Sequence, residues 1–453
     1  MGKLIFSTSG LRGVVNESAP GGLTPELVTE ICVGFGSFIG GGKVAVGRDL
    51  RLSSEMLYQA CTAGLLSAGC EVINLGVCPT PTVLLNVKQL SLAGGIVITA
   101  SHNPENWNGL KFVSKEGIFL TAEELKEFKQ LLKKKNFKRV SHEEIKSILD
   151  EPTAIENHIK KILRSEYFRD IQVKKLVVGI DACNGAAQAA VTSLLQALGL
   201  TPVHFFGDAE KPGKFPRQPE PSADNLTGLA NFVKEKRLDF GIGFDPDGDR
   251  VSFVDETGLA LGEEATLLLA LSFILPKKAG PVVVNLSTTQ AVDEIAKRFS
   301  VPVYRTKVGE AAVVAKMKEV QGVIGGEGNG GVILPEINFT RDGITATAIL
   351  IHLLSEQDKP LSQIAQTIPK YYIQKATLSL PAKEFLNKKS KLKKGFAPAQ
   401  FNTEDGLLII GKDFRVHIRP SNTEPIIRVI AESRLPDYTL SLITKVKEIL
   451  TKD

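Results

Sequence analysis

The sequence has few cysteines, and their arrangement excludes two classes of protein. They show neither the paired spacing of a metal site nor the density of a secreted disulfide scaffold. We therefore predict a reducing, cytoplasmic location. The five cysteines are Cys32, Cys61, Cys70, Cys78 and Cys183.

The net charge is also small, and long apolar runs are absent from the sequence. The 55 lysines and arginines against 50 acidic residues leave a net charge of +5, too small for a nucleic-acid-binding surface. No segment approaches 18 uninterrupted apolar residues, and the longest candidate, 265–275, contains Thr266 and Ser272 and is typical of a buried helix. We expect neither a nucleic-acid partner nor a membrane span.

The 453 residues are too many for one hydrophobic core. One pattern of apolar runs, helical spacing and loops occurs three times along them. Apolar runs typical of buried parallel strands are each followed by helical spacing, and a second run in each block ends at an unusual loop. We predict three α/β domains of related topology with mixed sheets, each offering a loop where ligands bind. The alternative is that such units recur in any α/β protein. The first runs are 43–46, 176–180 and 281–284, and the second runs are 95–98, 240–244 and 322–324.

The remaining chain changes character. Residues 388–394 form a charged helical surface, 407–410 and 414–418 resemble antiparallel strands, and 440–450 form an amphipathic helix, which predicts a smaller α+β domain. The four predicted domains span 1–152, 153–258, 259–369 and 370–453.

An acidic loop, residues 245–250, follows the second block's apolar run. Asp245, Asp247 and Asp249 alternate with Pro246 and Gly248, which bend the backbone so that the carboxylates can converge on one hard cation. Mg²⁺ is the predicted ion because it prefers oxygen ligands and leaves room for a phosphate oxygen. A Ca²⁺ loop and an ordinary acidic turn are the alternatives, although the glycine position differs from that of an EF-hand.

The loop of residues 99–104, with the sequence TASHNP, places Ser101 among turn-forming residues. A serine can carry a phosphoryl group that a nearby cation neutralises, but alone this segment is equally typical of a turn. Lys111 follows a few residues later and could carry a proton if burial or a cation lowers its pKa; otherwise it is a surface lysine.

Two further loops supply groups for sugar and phosphate. The glycine-rich loop 325–331 holds Glu327 and Asn329, which suit the paired hydroxyls of a sugar, although a flexible hinge is the alternative. It lacks the Gly-Lys-Ser/Thr ending of a Walker loop. The loop at 419–425 and a hydroxyl-rich turn containing Arg12 supply donors for a phosphate. The donors of the first of these are Arg419, Ser421, Asn422 and Thr423, with Arg428 close behind.

Together, five motifs resemble those of the α-D-phosphohexomutase family in their order: STSGLRG, TASHNP with Lys111, DPDGDR, GEGNGG and RPSNTEP. The resemblance spans almost the whole chain and implies four domains around a central cleft. It implies that Ser101 is a phosphoserine, that Asp245, Asp247 and Asp249 bind Mg²⁺ with a Ser101 oxygen, and that Glu327 and Asn329 bind sugar hydroxyls. The residues implied to lie near the phosphoryl group are Arg12, His102, Lys111 and Arg250; those implied to hold the substrate phosphate are Arg419, Ser421, Asn422, Thr423 and Arg428.

The chain also departs from many bacterial members of that family, which have histidine where Gly331 stands and, in some, where Glu310 stands. Roles assigned to those histidines cannot be transferred, so Lys111 is the preferred proton carrier, with water or His102 behind it. The amino-acid sequences of the loops GGEGNGG and SHNPENWNG most resemble those of phosphoglucosamine mutases. Phosphoglucomutase/phosphomannomutase enzymes are the alternative.

The resemblance further implies a reaction on hexose phosphates. Phospho-Ser101 would give its phosphoryl group to the sugar, the bisphosphorylated sugar would turn around, and a bisphosphorylated hexose would act as activator. A serine-dependent sugar phosphatase and a non-enzymatic sugar-phosphate-binding protein are the other hypotheses. We expect a monomer or a homodimer.

Overall fold

Four β-sheets follow one another along the chain in the computed structural model, which describes residues 4–16, 21–205, 213–421 and 426–451. The first three sheets are mixed and carry helices, and the fourth is antiparallel. The predicted fold class, three α/β domains followed by an α+β domain, is confirmed. The exact domain boundaries stay predictions.

The first sheet is a mixed sheet of seven strands. Its strands are β1 (Ile5–Ser7), β2 (Gly10–Val14), β3 (Gly42–Arg48), β4 (Cys70–Val77), β5 (Gly94–Ile98), β6 (Trp107–Ser114) and β7 (Ile148–Asp150). Its helices are α1 (Pro25–Phe38), α2 (Ser54–Ser67), α3 (Thr80–Gln89) and α4 (Ala122–Lys134), with a 3₁₀ helix at His142–Glu144. The spatial order is β1-β2-β6-β5-β3-β4-β7. The run predicted at 43–46 lies in β3, whose apolar side chains are buried, as expected of a strand covered on both faces.

The second sheet has four strands in the order β11-β10-β8-β9. The strands are β8 (Val177–Asp181), β9 (Thr201–His204), β10 (Phe240–Phe244) and β11 (Val251–Asp255). The helices are α5 (Ala154–Leu163), α6 (Ala187–Ala197) and α7 (Thr227–Lys236), with 3₁₀ helices at Glu166–Phe168 and Asp224–Leu226.

The third sheet also has four strands, in the order β13-β12-β14-β15. The strands are β12 (Val282–Asn285), β13 (Val303–Thr306), β14 (Ile324–Glu327) and β15 (Gly331–Ile333). The helices are α8 (Glu263–Ile274), α9 (Ala291–Arg298), α10 (Glu310–Val320), α11 (Gly343–Gln357) and α12 (Leu361–Ala365). The buried helix predicted at 265–275 is α8.

One four-strand order is common to these sheets: β6-β5-β3-β4, β11-β10-β8-β9 and β15-β14-β12-β13. In each sheet the second strand of this order pairs in parallel with the third and antiparallel with the first. A turn joins the second strand to the first. The three turns are residues 99–106, 245–250 and 328–330. The loops singled out in the sequence therefore occupy equivalent places in three repeats, at the carboxyl ends of strands where ligands bind.

The fourth sheet is antiparallel throughout, in the order β16-β20-β19-β18-β17. Its elements are β16 (Tyr372–Leu378), α13 (Ala382–Gly395), β17 (Gln400–Asn402), β18 (Leu407–Ile410), β19 (Phe414–Pro420), β20 (Ile427–Ser433) and α14 (Pro436–Thr451). The antiparallel strands predicted at 407–410 and 414–418 pair as β18 and β19.

The hydrophobic cores show which domains are joined. One core runs through the second and third domains and includes Leu194 of α6, Leu271 of α8 and Leu350 of α11. The fourth domain packs around a separate core that includes Phe385 and Val446. No helix in the described ranges is long and apolar enough to cross a membrane.

Candidate active site

A cleft of about 1200 Å³ is lined by all four domains. The structure brings together in this cleft most of the side chains that the sequence analysis predicts to act on a phosphorylated sugar. Those lining it are Arg12, His102, Lys111, Arg250, Glu327, Asn329, Arg419 and Arg428. Their individual roles stay predictions.

Ser101 lies in the loop between β5 and β6, with its side chain turned to the second domain. Its buried hydroxyl donates to Asp245 Oδ2 at 3.0 Å. Its φ of +50° is in the left-handed region, which residues other than glycine seldom adopt, and its amide donates to Thr99 Oγ1 at 2.9 Å. The loop thus holds the hydroxyl against the acidic loop at some cost in backbone strain.

Arg51, which was not predicted from the sequence, binds the backbone of the Ser101 loop. Its guanidinium donates to the carbonyl oxygens of Ser101 at 2.6 Å and Asn103 at 2.7 Å, and to two later carbonyls of the same segment. Asp49 pairs with Arg51 at 3.1 Å, and both side chains are buried. Arg51 is therefore part of the framework that fixes Ser101.

The three aspartates of the acidic loop converge, as the sequence predicts. One carboxylate oxygen from each lies within 4.8 Å of the others, and all three residues are buried. Burial, together with the other two carboxylates, raises the pKa of Asp245 well above its usual value. Among the described residues, Oδ1 of Asp247 and Oδ1 of Asp249 have no hydrogen-bond partner. Buried carboxylate oxygens without donors suit a metal ion.

Lys111 lies beside this cluster. Its Nζ donates to Asp247 Oδ2 at 2.6 Å and to Asp249 Oδ2 at 3.2 Å. Burial alone would lower the pKa of Lys111, but the two carboxylates outweigh burial and the pKa is raised. The lowered pKa on which its predicted role depends is therefore absent from this arrangement.

His102 lies next to the Ser101 hydroxyl, and the charges of two arginines act on its imidazole. The positive charge of Arg250, then burial and Arg12, lower the pKa of His102 well below its usual value. Its Nδ1 lies 3.4 Å from Ser101 Oγ. Within the described part of the chain, the buried Nε of Arg12 and of Arg250 has no hydrogen-bond partner. Such donors suit an anion.

Glu327 is the last residue of β14, and Asn329 lies in the turn that follows. Oε1 of Glu327 accepts from Asn285 Nδ2 at 2.7 Å and from the Gly309 amide at 3.1 Å. Burial would raise the pKa of Glu327, but the charge of Arg341 outweighs it and the pKa is lowered. Protein donors therefore hold this carboxylate in its ionised form.

Arg341 is a second site residue that the sequence analysis missed. Each of its three guanidinium nitrogens donates to a different carboxylate: Asp249 at 2.8 Å, Glu327 at 2.9 Å and Glu310 at 2.8 Å. This one buried side chain therefore connects the acidic loop to the glycine-rich loop 325–331, the predicted sugar loop. The Asp249 contact spans 92 residues, so no local pattern could indicate it.

The predicted phosphate site is described only in part. Arg419 of β19 and Arg428 of β20 lie directly opposite each other in the sheet, and the Ser421 amide donates to Ile426 O at 2.9 Å. Like charges on paired strands repel, so an anion between them would be stabilising. The predicted residues Asn422 and Thr423 lie outside the described residues.

Comparison with known families agrees with this architecture. The chain matches the phosphoglucomutase/phosphomannomutase alpha/beta/alpha domain I over residues 3–139, domain II over 156–258, domain III over 262–372, and the C-terminal domain over 381–445. The protein therefore belongs to the α-D-phosphohexomutase family, and it is a phosphohexomutase, an intramolecular phosphotransferase. The predicted family and enzyme class are confirmed.

Its relatives carry names for different sugars. A phosphoglucomutase/phosphomannomutase of Thermococcus kodakarensis is 37% identical, over 96% of this chain and 95% of its own. A phosphoglucosamine/phosphogalactosamine mutase of Sulfurisphaera tokodaii is 34% identical, over 99% of each. A solved family member from Burkholderia thailandensis superposes with a TM-score of 0.84 at 25% identity, over 98% of each chain.

Proposed function

We propose that the protein interconverts hexose 6-phosphates and hexose 1-phosphates through phosphorylated Ser101 and a bisphosphorylated sugar, with glucosamine phosphate preferred. The observation that carries the proposal is the Ser101 hydroxyl, 3.0 Å from Asp245 in the aspartate cluster. A serine beside a cation site can carry a phosphoryl group whose charge the cation neutralises. The name of the Sulfurisphaera tokodaii relative supports glucosamine, and that of the Thermococcus kodakarensis relative supports phosphoglucomutase/phosphomannomutase as the alternative.

Mg²⁺ is the proposed metal. Asp245, Asp247 and Asp249 would hold it with an oxygen on Ser101. The Oδ1 atoms of Asp247 and Asp249, which accept no hydrogen bond within the described residues, support this. When bound, the ion would neutralise negative charge on the transferring phosphoryl group. A distant relative, the Aspergillus fumigatus N-acetylphosphoglucosamine mutase, was crystallised with GlcNAc-6P and magnesium.

The chain's own residues would orient and receive the phosphoryl group. The guanidinium groups of Arg12 and Arg250, whose Nε atoms make no hydrogen bond within the described residues, would bind its oxygens. The Nε of Arg250 lies 3.6 Å from Asp249 Oδ1, so this arginine is already beside the aspartate cluster. Transfer breaks the bond between phosphorus and Ser101 Oγ and forms one between phosphorus and a sugar hydroxyl oxygen, while the hydroxyl proton passes to a nearby base. His102, whose pKa is lowered, is the first candidate for this base in the present arrangement, and Lys111 would need a lowered pKa to take its place. Comparison of Lys111→Met with His102→Gln distinguishes the two.

The bisphosphorylated sugar must then turn around, so that its other phosphate faces Ser101. Arg419, Ser421 and Arg428 would hold the phosphate that is not reacting, as would Asn422 and Thr423. The separate core of the fourth domain supports a movement of this phosphate site relative to Ser101. Sugar bisphosphate lost during turning would leave an unphosphorylated enzyme, which is why a bisphosphorylated hexose would act as activator.

The covalent step is tested by intact mass spectrometry after incubation with glucose 1,6-bisphosphate. We expect one added phosphate on the wild type and on the control Ser114→Ala, and none on Ser101→Ala. Turnover of Ser101→Ala should fall about 1000-fold or more, because the phosphoryl carrier is lost. Near-wild-type turnover would contradict the proposal, as would steady release of inorganic phosphate, which indicates a phosphatase. Ligand binding without labelling would indicate a binding protein.

The sugar preference needs a separate measurement. Competition among glucosamine, glucose and mannose 1-phosphates, each with its bisphosphate present, gives the ratio of kcat/KM values directly. A preference for glucose or mannose would reject glucosamine and leave the mutase mechanism intact. The cytoplasmic location and the monomeric or homodimeric state stay predictions.

A further inference from the structure

Glu264 lies in the first turn of α8 and lines the cleft beside the sugar loop. Its carboxylate is so close to Gly328 that a Cβ on Gly328 would clash with both Oε1 and Oε2. Any side chain at position 328 would displace the carboxylate, so the glycine is what admits it. Gly328 stands between Glu327 and Asn329, the two residues predicted to bind sugar hydroxyls.

The carboxylate of Glu264 receives fewer hydrogen bonds from the protein than the carboxylate of Glu327. Within the described ranges, Glu264 accepts one hydrogen bond, from the Thr289 amide to Oε2 at 3.1 Å, and forms no ion pair. The nearby Lys375 pairs instead with Glu263 at 3.3 Å. Glu327, by contrast, is held by amide donors and by Arg341.

The electrostatic surroundings of Glu264 favour a cation. Burial, reinforced by Glu432 and Glu263 and only partly offset by Lys375, raises the pKa of Glu264 to about 7. A carboxylate destabilised in this way gains from a positive charge brought by a ligand. The aspartate cluster already offers the metal site, and one carboxylate next to one amide donor is too few ligands for a second.

Among the sugars considered for this cleft, only a hexosamine phosphate carries a cationic group on its ring. Glucose and mannose phosphates have a hydroxyl at C2, where glucosamine has an amine that can be protonated. We propose that Glu264 binds the protonated 2-amino group of a 2-amino-2-deoxyhexose phosphate and thereby determines selectivity for amino sugars. This assignment rests on the proposed function, in which the hexose ring lies against the sugar loop.

The test removes the negative charge of Glu264 and keeps the shape of its side chain. Glu264→Gln is compared with wild type and with the control Glu263→Gln, using glucosamine, N-acetylglucosamine and glucose 1-phosphates. We expect Glu264→Gln to lower the ratio of kcat/KM for glucosamine over glucose by about tenfold or more, since a charged hydrogen bond is lost. The ratio for N-acetylglucosamine, whose amide is uncharged, should stay within about twofold in the same variant. Glu263→Gln should leave both ratios as in the wild type.

A second variant and a binding measurement keep the result interpretable. Glu264→Asp retains the charge and should retain part of the preference, and calorimetry should show weaker binding of glucosamine 6-phosphate to Glu264→Gln. An equal loss on all three sugars would overturn the assignment, because that is the mark of a merely structural residue. An unchanged ratio in Glu264→Gln, or a wild type that neither binds nor converts glucosamine phosphate, would overturn it as well.

The proposed function fails in a different way. A wild type that prefers glucose but whose glucosamine ratio still falls in Glu264→Gln would reject the proposed substrate and keep the role of Glu264. Absence of phosphate on Ser101 would reject the mechanism independently of either ratio.

Discussion

The contacts among the first three domains differ in kind from those between the third and the fourth. Thr80 of the first domain donates to Asp247 of the second twice, from its amide to the carbonyl oxygen at 2.9 Å and from Oγ1 to the carboxylate at 2.6 Å. His158 of the second domain lies 2.9 Å from Thr82 of the first and 2.7 Å from Asp342 of the third. All five residues are buried.

The fourth domain meets the third through polar contacts, although Glu432, Thr289 and His417 are themselves buried there. Glu432 accepts hydrogen bonds from the Thr289 hydroxyl and the Gln290 amide, and His417 Nδ1 lies 2.8 Å from Ser287 Oγ. The hydrophobic cores of the two domains stay separate.

This difference matches the two tasks of the cleft. Phosphoryl transfer requires groups fixed to within a fraction of an ångström, and Asp247 is at once a candidate metal ligand and part of the first interface. Turning a bisphosphorylated sugar requires instead that a phosphate be released and regrasped, and Arg419 and Arg428 lie on the separately packed domain. Substitutions that perturb one interface at a time, each with a control away from it, test this difference.

The largest effect is expected from Asp247→Asn. The change removes a charge from the aspartate cluster and the closest ion-pair partner of the buried Lys111. We expect kcat to fall about 1000-fold, equivalent to about 4 kcal/mol, measured as mutase turnover with saturating Mg²⁺. Wild-type turnover should be lost in chelator and restored by Mg²⁺.

Asp255→Asn is the matched control for that variant. Asp255 is equally buried, lies in the same hairpin, and accepts from the Thr257 and Leu259 amides away from the cleft. Its substitution should leave turnover within a few-fold of wild type. A similar loss in both variants would mean that Asp247 acts only through folding.

A smaller effect, on stability, is expected from Asp342→Ala. Asp342 caps α11 by accepting from the Ile344 and Thr345 amides, and it accepts or shares the hydrogen bond of the buried His158. Loss of the cap costs about 1 kcal/mol, and an unpaired buried imidazole costs about 1–3 kcal/mol more. We expect the unfolding midpoint of the first three domains to fall accordingly in urea.

Thr121→Ala separates the two contributions to that loss. Thr121 caps α4 on the surface of the first domain, where its side chain accepts from the Glu124 amide at 3.2 Å. Only the capping term of about 1 kcal/mol should be lost there. Equal destabilisation in both variants would show that the His158 contact adds nothing to the interface.

Sequence patterns predicted the elements and loops of this comparison but not the contacts that hold them. The run at 95–98 and the acidic loop are local signals, because buried strands and bent loops impose residue types on neighbouring positions. Arg51 was missed because the folding of the first domain brings it to carbonyl oxygens that lie 50 or more residues away. Arg341 was missed because the packing of two domains brings Asp249 to it across 92 residues. The contact between Lys111 and Asp247, 136 residues away in the chain, follows no local pattern either, and it raises the pKa of Lys111. The role of Lys111 as proton carrier stays a prediction.

The smallest effect is expected at Glu432, in the interface between the third and fourth domains. Burial raises the pKa of Glu432 although Arg415 and Arg305 oppose it, and the carboxylate of Glu264 also lies near. A raised carboxyl pKa means that the docked state binds protons more tightly than the unfolded one. Its contribution is therefore full below the ordinary glutamate pKa and declines as the pH rises through the native pKa.

Calorimetry of the fourth domain's unfolding, from roughly pH 4 to pH 8, checks this sign. The wild type should lose stability with rising pH relative to Glu432→Gln, which has no charge to gain, and the two should differ by less than about 1 kcal/mol near pH 4. Glu404→Gln, on the exposed surface of the same domain, should follow the wild-type curve. Parallel curves for wild type and Glu432→Gln would show that Glu432 does not titrate on docking, so that the polar interface of the fourth domain carries no pH-dependent cost and differs less from the first three than proposed.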